Sequence, residues 1–96
     1  MNALRFAPRA RADIDGIWNY TVQKWNVDQA ETYLRVINQA LSLLRANPRL
    51  GRSAGDIGHD LFKFPAASHI IYYRLTTGTL HVVRILHKSM DVERHL

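Results

Sequence analysis

The run His69–Leu96, HIIYYRLTTGTLHVVRILHKSMDVERHL, decides the fold. Its first two parts, HIIYYRL and TLHVVRIL, are rich in β-branched and aromatic residues, and Thr77-Gly78 lies between them, which predicts a β-hairpin. A two-residue loop at Thr77-Gly78 pairs Thr76 with Thr79, Leu75 with Leu80, Tyr73 with Val82 and Ile71 with Arg84. One sheet face then carries Ile71, Tyr73, Leu75, Leu80, Val82, Arg84 and Leu86. The other carries Ile70, Tyr72, Arg74, His81, Val83, Ile85 and His87. A three-residue loop would re-pair these faces, because side chains alternate along a strand. The third part, His87 to Leu96, leaves the sheet as a charged tail with room for one helical turn.

Upstream of the hairpin the periodicity changes. NALRF at Asn2–Phe6 is a short strand, with Leu4 and Phe6 on one side. Pro8 suits the first turn of a helix, although Ala7 before it offers no capping side chain. Ala10, Ile14, Ile17, Trp18, Thr21 and Trp25 then recur at helical spacing and form an apolar stripe, with Arg9, Asp13, Tyr20 and Lys24 on or near the other side. Gly16 weakens this helix by about 1 kcal/mol relative to alanine, a cost that close packing would explain. Asn26 marks the break. It can end the first helix in the left-handed conformation or cap the second one together with Gln29. The second helix turns Ala30, Tyr33, Leu34, Ile37, Leu41 and Leu44 inward and Glu31, Arg35, Asn38, Ser42 and Arg45 outward, and it stops at Asn47-Pro48.

Residues 48–60 contain three glycines and no periodicity, so they read as a loop, and the glycine spacing matches no phosphate-binding pattern. Leu61–Phe64 is a short strand ended by Pro65. The chain is therefore α+β with the order β-α-α-β-β-β, a helical hairpin packed on a small, mainly antiparallel sheet, and residues 1–96 are expected to form a single domain.

Composition narrows the function classes. With 47% hydrophobic and 22% charged residues, the chain is an ordinary folded protein. It has no cysteine, so disulfides and thiolate metal sites are out, and a reducing cytoplasm is compatible with it. No apolar run approaches membrane-spanning length and residues 1–20 lack a secretory core, so no membrane association is expected. The formal net charge is +5, and ten of the thirteen cations are arginine, which suits an acidic protein partner or nucleic acid.

The histidines His69, His81, His87 and His95 show no metal-ligand spacing, so no metal or other cofactor is expected. His87 stands apart because it falls where the last strand meets the tail, beside Arg84 and Lys88. Trp18 and Trp25 are seven apart in sequence, a core spacing. Arg74 and Arg84 sit within strands and need a partner or an exposed face, and Arg84 among apolar neighbours is either paired with a carboxylate or reaching toward an acidic ligand. No Ser-His-Asp or Cys-His triad is supported, so no catalytic residue is assigned.

NPRLGR after the second helix, a strand followed by FP, then HIIYYR and VVRILHKSMDVERHL, closely resemble the ParE toxins of the RelE/ParE superfamily of bacterial type II toxin–antitoxin systems. PRARADIDGIWNYT and WNVDQAETYL resemble the family's two helices, so the resemblance spans nearly the whole chain. It implies a small cytoplasmic toxin that inhibits DNA gyrase by binding, without chemistry of its own, and is neutralised by a ParD-like antitoxin. It implies no direct sequence-specific contact with nucleic acid. On this basis Arg84, His87, Lys88, Met90 and Arg94 are expected to meet the target. Tyr33, Arg35, Tyr72 and Arg74, on the helical hairpin and exposed sheet positions, are expected to meet the antitoxin. The enzyme alternative is a RelE-like ribosome-dependent mRNA endonuclease, for which Lys63, Arg74, Arg84, His87 and Lys88 are the raw material. The apolar Phe62, Phe64 and Ile70 and the absence of a tyrosine after His87 disfavour it. A third option is a non-toxic antitoxin-binding module.

Overall fold

The computed structural model describes residues 1–96. Strand β1 (Ala3–Phe6) leads into helices α1 (Pro8–Lys24) and α2 (Val27–Ala46). After a 3-10 turn at Pro48–Leu50 come strands β2 (Arg52–Ser53), β3 (Phe62–Ala66), β4 (His69–Thr76) and β5 (Thr79–His87), then the one-turn helix α3 (Val92–His95). The strands form one sheet in the order β1-β5-β4-β3-β2. All pairings are antiparallel except β1 with β5, which is parallel.

The helical hairpin forms as its periodicity requires. Asn26 is extended at φ −170° and its side chain accepts the Gln29 N–H at 2.8 Å, so of its two options it takes the N-cap of α2. The termination of α1 falls instead to Trp25, whose N–H still reaches the Thr21 carbonyl. That break moves Trp25 off the helical stripe. The residue is 67% exposed, a correction to its expected place in the core. Of the predicted stripe, Ala10, Ile17 and Thr21 are buried, and on α2 Ala30, Ile37, Leu41 and Leu44 are buried.

The hairpin turn is where the sequence places it. Within the turn Gly78 takes a positive φ, 76°, and Thr76–Thr79, Leu75–Leu80 and Tyr73–Val82 pair as expected. Beyond Tyr73 the register shifts by one: Tyr72 faces Arg84, and Ile71 faces Ile85 rather than Arg84. Val83 is the extra residue of a β-bulge. The bulge corrects the predicted faces. It brings Ile85 into the main core with Ile71, Tyr73, Leu80 and Val82, against α1 and α2, while Val83 and Leu86 pack in a second cluster on the far face.

That second cluster holds Ala54, Leu61, Tyr72 and Leu86, and Ile57 and Val92 pack against it from the loop and from α3. Residues 48–60, expected to be loop throughout, thus contribute the short edge strand β2. Strand β3 extends through Pro65 to Ala66, past the end of β2, where a missing N–H costs no ladder bond. The loop is anchored by Tyr73, which donates its hydroxyl proton to the Pro48 carbonyl at 2.7 Å and accepts the Gly51 N–H at 3.0 Å. A Cβ on Gly51 would collide with this hydroxyl, so the position requires glycine.

Candidate functional site: a histidine-lined groove beside the C-terminal turn

Strand β1 covers only the first half of β5, because it pairs with Thr79–Val82 and the Ala7 N–H closes the ladder on the Val82 carbonyl. The rest of that edge is held by α1. Asp13 accepts the Ile85 N–H at 2.9 Å with one carboxylate oxygen and grips the Arg84 guanidinium with both, at 2.8 Å each. The side chains of the pair are each 13% exposed. A further Arg84 N–H donates to the His95 carbonyl, so one guanidinium ties α1 to β5 and to α3. The hydrogen bonds that Arg84 donates to Asp13 raise its affinity for its proton and keep it charged. Asp13, expected on the outer side of α1, is half-buried because the bulge turns Arg84 and the Ile85 N–H toward it.

Next to this anchor lies a groove of about 620 Å³ between α1, the ends of β4 and β5, and the tail. Its α1 wall is Ala12, Asp13, Gly16, Ile17 and Tyr20, and the facing wall includes His69, Ile85, His87, Ser89 and Met90. His69 and His87 are cross-strand partners whose rings meet edge to face with centroids 5.3 Å apart. The Ser68 N–H donates to the Tyr33 hydroxyl at 3.1 Å, and that hydroxyl lies 2.6 Å from His69 Nδ1. On the other ring, the Ser89 N–H donates to His87 Nδ1 at 3.1 Å, which puts the proton of the neutral imidazole on Nε2. Burial lowers the His69 pKa, the neighbouring His87 lowers it further, and Asp13 partly offsets both.

The residues expected to meet the target do not all share this surface. His87 and Met90 line the groove, and Lys88 is exposed beside it with its backbone N–H on the Ser68 carbonyl. Arg94 projects from α3 and lies 3.7 Å from Asp91. Arg84 takes the carboxylate-paired of its two options. Its charge is already matched, so it holds the tail in place rather than presenting a free cation.

The four expected antitoxin contacts are dispersed. Tyr33 supports His69. Arg35 lies on the solvent side of α2, beside a shallow depression with Leu43 and Ser42. Tyr72, placed on an exposed sheet position by simple alternation, is only 4% exposed under the 54–61 loop, and this burial raises its pKa. Arg74, on the same far face, donates to the His59 carbonyl at 3.0 Å. The sequence alone gave no weight to Asp13, Gly16, Tyr20 or Ser89 as site residues. Ser89 had a local signal, since its backbone can bond the ring of the histidine two positions before it. No three His, Cys, Asp or Glu side chains are placed to share a metal ion.

Comparison with known proteins agrees with this architecture. The model of the family described as "ParE toxin of type II toxin-antitoxin system, parDE" matches residues 4–92. Toxin ParE1 of Mycobacterium tuberculosis is 46% identical over 91 residues, covering 94% of this chain and 93% of that protein. Toxin ParE1 of Caulobacter vibrioides is 31% identical over 96 residues, covering 100% and 99%. Among solved structures, a chain of the "Chromosomal ParDE TA system from P. aeruginosa" superposes with a TM-score of 0.78 over 91% of this chain and 96% of its own, at 17% identity, and so shares the fold. The paired helices, the sheet order and the sequence match over residues 4–92 together place this chain in the ParE toxin family of type II toxin–antitoxin systems.

Proposed function

We propose that this ParE toxin acts by binding DNA gyrase, without chemistry of its own, and that a ParD-like antitoxin neutralises it in the cytoplasm. The observation that favours binding over RelE-like mRNA cleavage is the dispersal of the cationic and acid/base side chains. Activating a ribose 2′-OH and stabilising a phosphorane needs such groups to converge. Here Lys63 and Arg74 face away from the helices, Arg84 is neutralised by Asp13, and His87 faces the helical side next to His69. Target contact is assigned to His87, Lys88, Met90 and Arg94, with Arg84 fixing the segment that carries them. Antitoxin contact is assigned to the neighbourhood of Tyr33 and to Arg35, with Arg74 at the rim of the far face. No helix is long and apolar enough to cross a membrane.

The test is a plasmid supercoiling assay with purified protein and gyrase, read for lost supercoiling and for trapped double-strand breaks. Loss of supercoiling that added antitoxin relieves supports the proposal. Fully active gyrase at excess protein refutes it and moves the reading to ribosome-bound mRNA cleavage or an inactive toxin fold. Deleting Lys88–Leu96 would be a poor mapping variant, because Val92 packs on the second core cluster and His95 is bound by Arg84. Lys88→Glu and Arg94→Glu reverse exposed charges without removing that packing.

A further inference from the structure

We propose that the sheet face turned away from the helices binds the phosphate backbone of duplex DNA, independently of base sequence, through a row of cations led by Arg5, His81 and Arg74. The contact goes beyond gyrase binding and does not require it. Only the choice of DNA over an RNA duplex rests on the gyrase reading above.

The register builds the row. Arg5 pairs with His81 across β1 and β5, and His81 pairs with Arg74 across β5 and β4. Their chain neighbours Leu4, Phe6, Leu80, Val82, Tyr73 and Leu75 all pack toward the helices, so alternation turns the three onto the far face. Lys63 and Arg52, partners across β3 and β2, extend the same face. No ion pair neutralises it. The five strands contain no acidic residue, and of their Lys and Arg side chains only Arg84 has a carboxylate partner. The acids of the 54–61 loop bordering the face are Asp56 and Asp60, and Asp60 lies 3.1 Å from His59. Like charges set opposite each other on a sheet are destabilising, so the row carries a cost that no contact inside the chain offsets.

The setting of Arg74 is the second observation. Its Nε donates to the His59 carbonyl at 3.0 Å, which orients the guanidinium and leaves both terminal amino groups without a partner in the chain. Gly58 makes room for it, since a Cβ there would stand 3.2 Å from Nη2. A guanidinium held in this way suits a phosphate, which accepts from both amino groups at once. Arg74 is also assigned above to the antitoxin, so antitoxin and duplex would compete for it.

Shape and composition favour a duplex over a single strand or a protein. Arg5 and Arg74 stand two strand spacings apart, about 10 Å, within reach of phosphates on either side of a groove about 6–12 Å wide. Single strands are gripped by stacking bases on exposed aromatic rings. The one Phe, Tyr or Trp on this face, Tyr72, is 4% exposed. A protein partner needs apolar anchors at the centre of the contact. None of the chain's exposed large hydrophobic residues belongs to a strand.

The test is fluorescence anisotropy of a labelled DNA duplex of about 20 base pairs with the full-length toxin, without gyrase, from about 50 to 200 mM salt. Log affinity is expected to fall with log salt at a slope of about −3 to −4, as four Lys and Arg contacts at about −0.9 each require. Duplexes of unrelated sequence should bind alike. Arg5→Gln with Arg74→Gln should flatten the slope by about two, and Arg5→Lys with Arg74→Lys should restore most of it. Arg5→Gln alone, which breaks no bond within the chain, should flatten it by about one. The control Arg11→Gln with Arg49→Gln removes the same charge from the helical side and should leave the slope nearly unchanged. Equal losses in the two Gln double variants reduce the binding to net charge and overturn the inference. So does a duplex that stays unbound at about 50 mM salt, or tighter binding of a single strand or an RNA duplex of the same length. Because the assay holds no gyrase, each of these failures leaves the gyrase proposal to its own supercoiling test.

Discussion

Asp13→Ala is the most informative single perturbation of the scaffold. It removes three hydrogen bonds at once, two from the Arg84 guanidinium and one from the Ile85 N–H. The backbone N–H left without its acceptor costs about 1–3 kcal/mol. Breaking a fully buried ion pair by removing one partner costs about 3–5 kcal/mol. At 13% exposure on each side chain some water reaches the pair, so we place the total near the lower figure, about 3 kcal/mol. A domain of this length has a total stability of about 5–14 kcal/mol, so the loss is a large share of it. In urea, with m about 1.5 kcal/mol/M, the midpoint should fall by about 2 M. The double variant Asp13→Ala with Arg84→Met should recover part of the loss, because it also removes the unpaired charge. Trypsin should cut Asp13→Ala faster after Lys88, since the hold of Arg84 on His95 is no longer aimed by the carboxylate. A midpoint shift below about 0.5 M would refute the reasoning and class the pair with ordinary surface salt bridges, worth about 0–1 kcal/mol.

Three further predictions follow from local geometry. Tyr73→Phe leaves the Pro48 carbonyl and the Gly51 N–H without their shared partner, and should cost about 1.5–3 kcal/mol by urea denaturation with little change in far-UV circular dichroism. Ala67→Gly should stabilise the fold by about 0.5–1 kcal/mol in the same assay, because Ala67 sits at φ 55° in the β3–β4 turn, where a Cβ is strained; a loss of stability there would show that the entropy of the unfolded chain outweighs the strain. Below about pH 6.5 the unfolded chain protonates His69 before the folded one does, so stability should fall as pH drops through that range. His69→Gln should flatten this part of the stability–pH curve, and an unchanged slope would assign the effect to other groups.

What the sequence made legible were features with a local signature. The apolar stripes of both helices, the Asn26 boundary and the Thr77-Gly78 turn depend on residues a few positions apart, and they appear as expected except at Trp25. The bulge was hidden because Leu80, Val82, Arg84 and Leu86 simulate a regular alternation. Its trace was the doublet pattern Val82-Val83, Arg84, Ile85-Leu86, where two apolar pairs flank one charge. The partner of Arg84 was out of reach for a different reason: Asp13 lies 71 positions away, and no spacing rule connects them. The groove shares that difficulty, since its two walls come from α1 and from the hairpin ends, which the parallel docking of β1 on β5 and the bonds of Asp13 to Arg84 and Ile85 bring together.

That parallel docking also bears on when the chain can fold. Ala3 pairs with Thr79, so the first strand of the sheet finds its ladder on the last one synthesised, and β5 contributes Leu80, Val82 and Ile85 to the main core. The closure is long in sequence, and such non-local pairing is slow to form. On a translating ribosome the helical hairpin emerges early with no strand to link β1 to β4. A nascent chain that stops before Thr79 has neither the strand that joins β1 to the rest of the sheet nor the Arg84 anchor, so the surface built on β5 cannot exist until that strand has emerged.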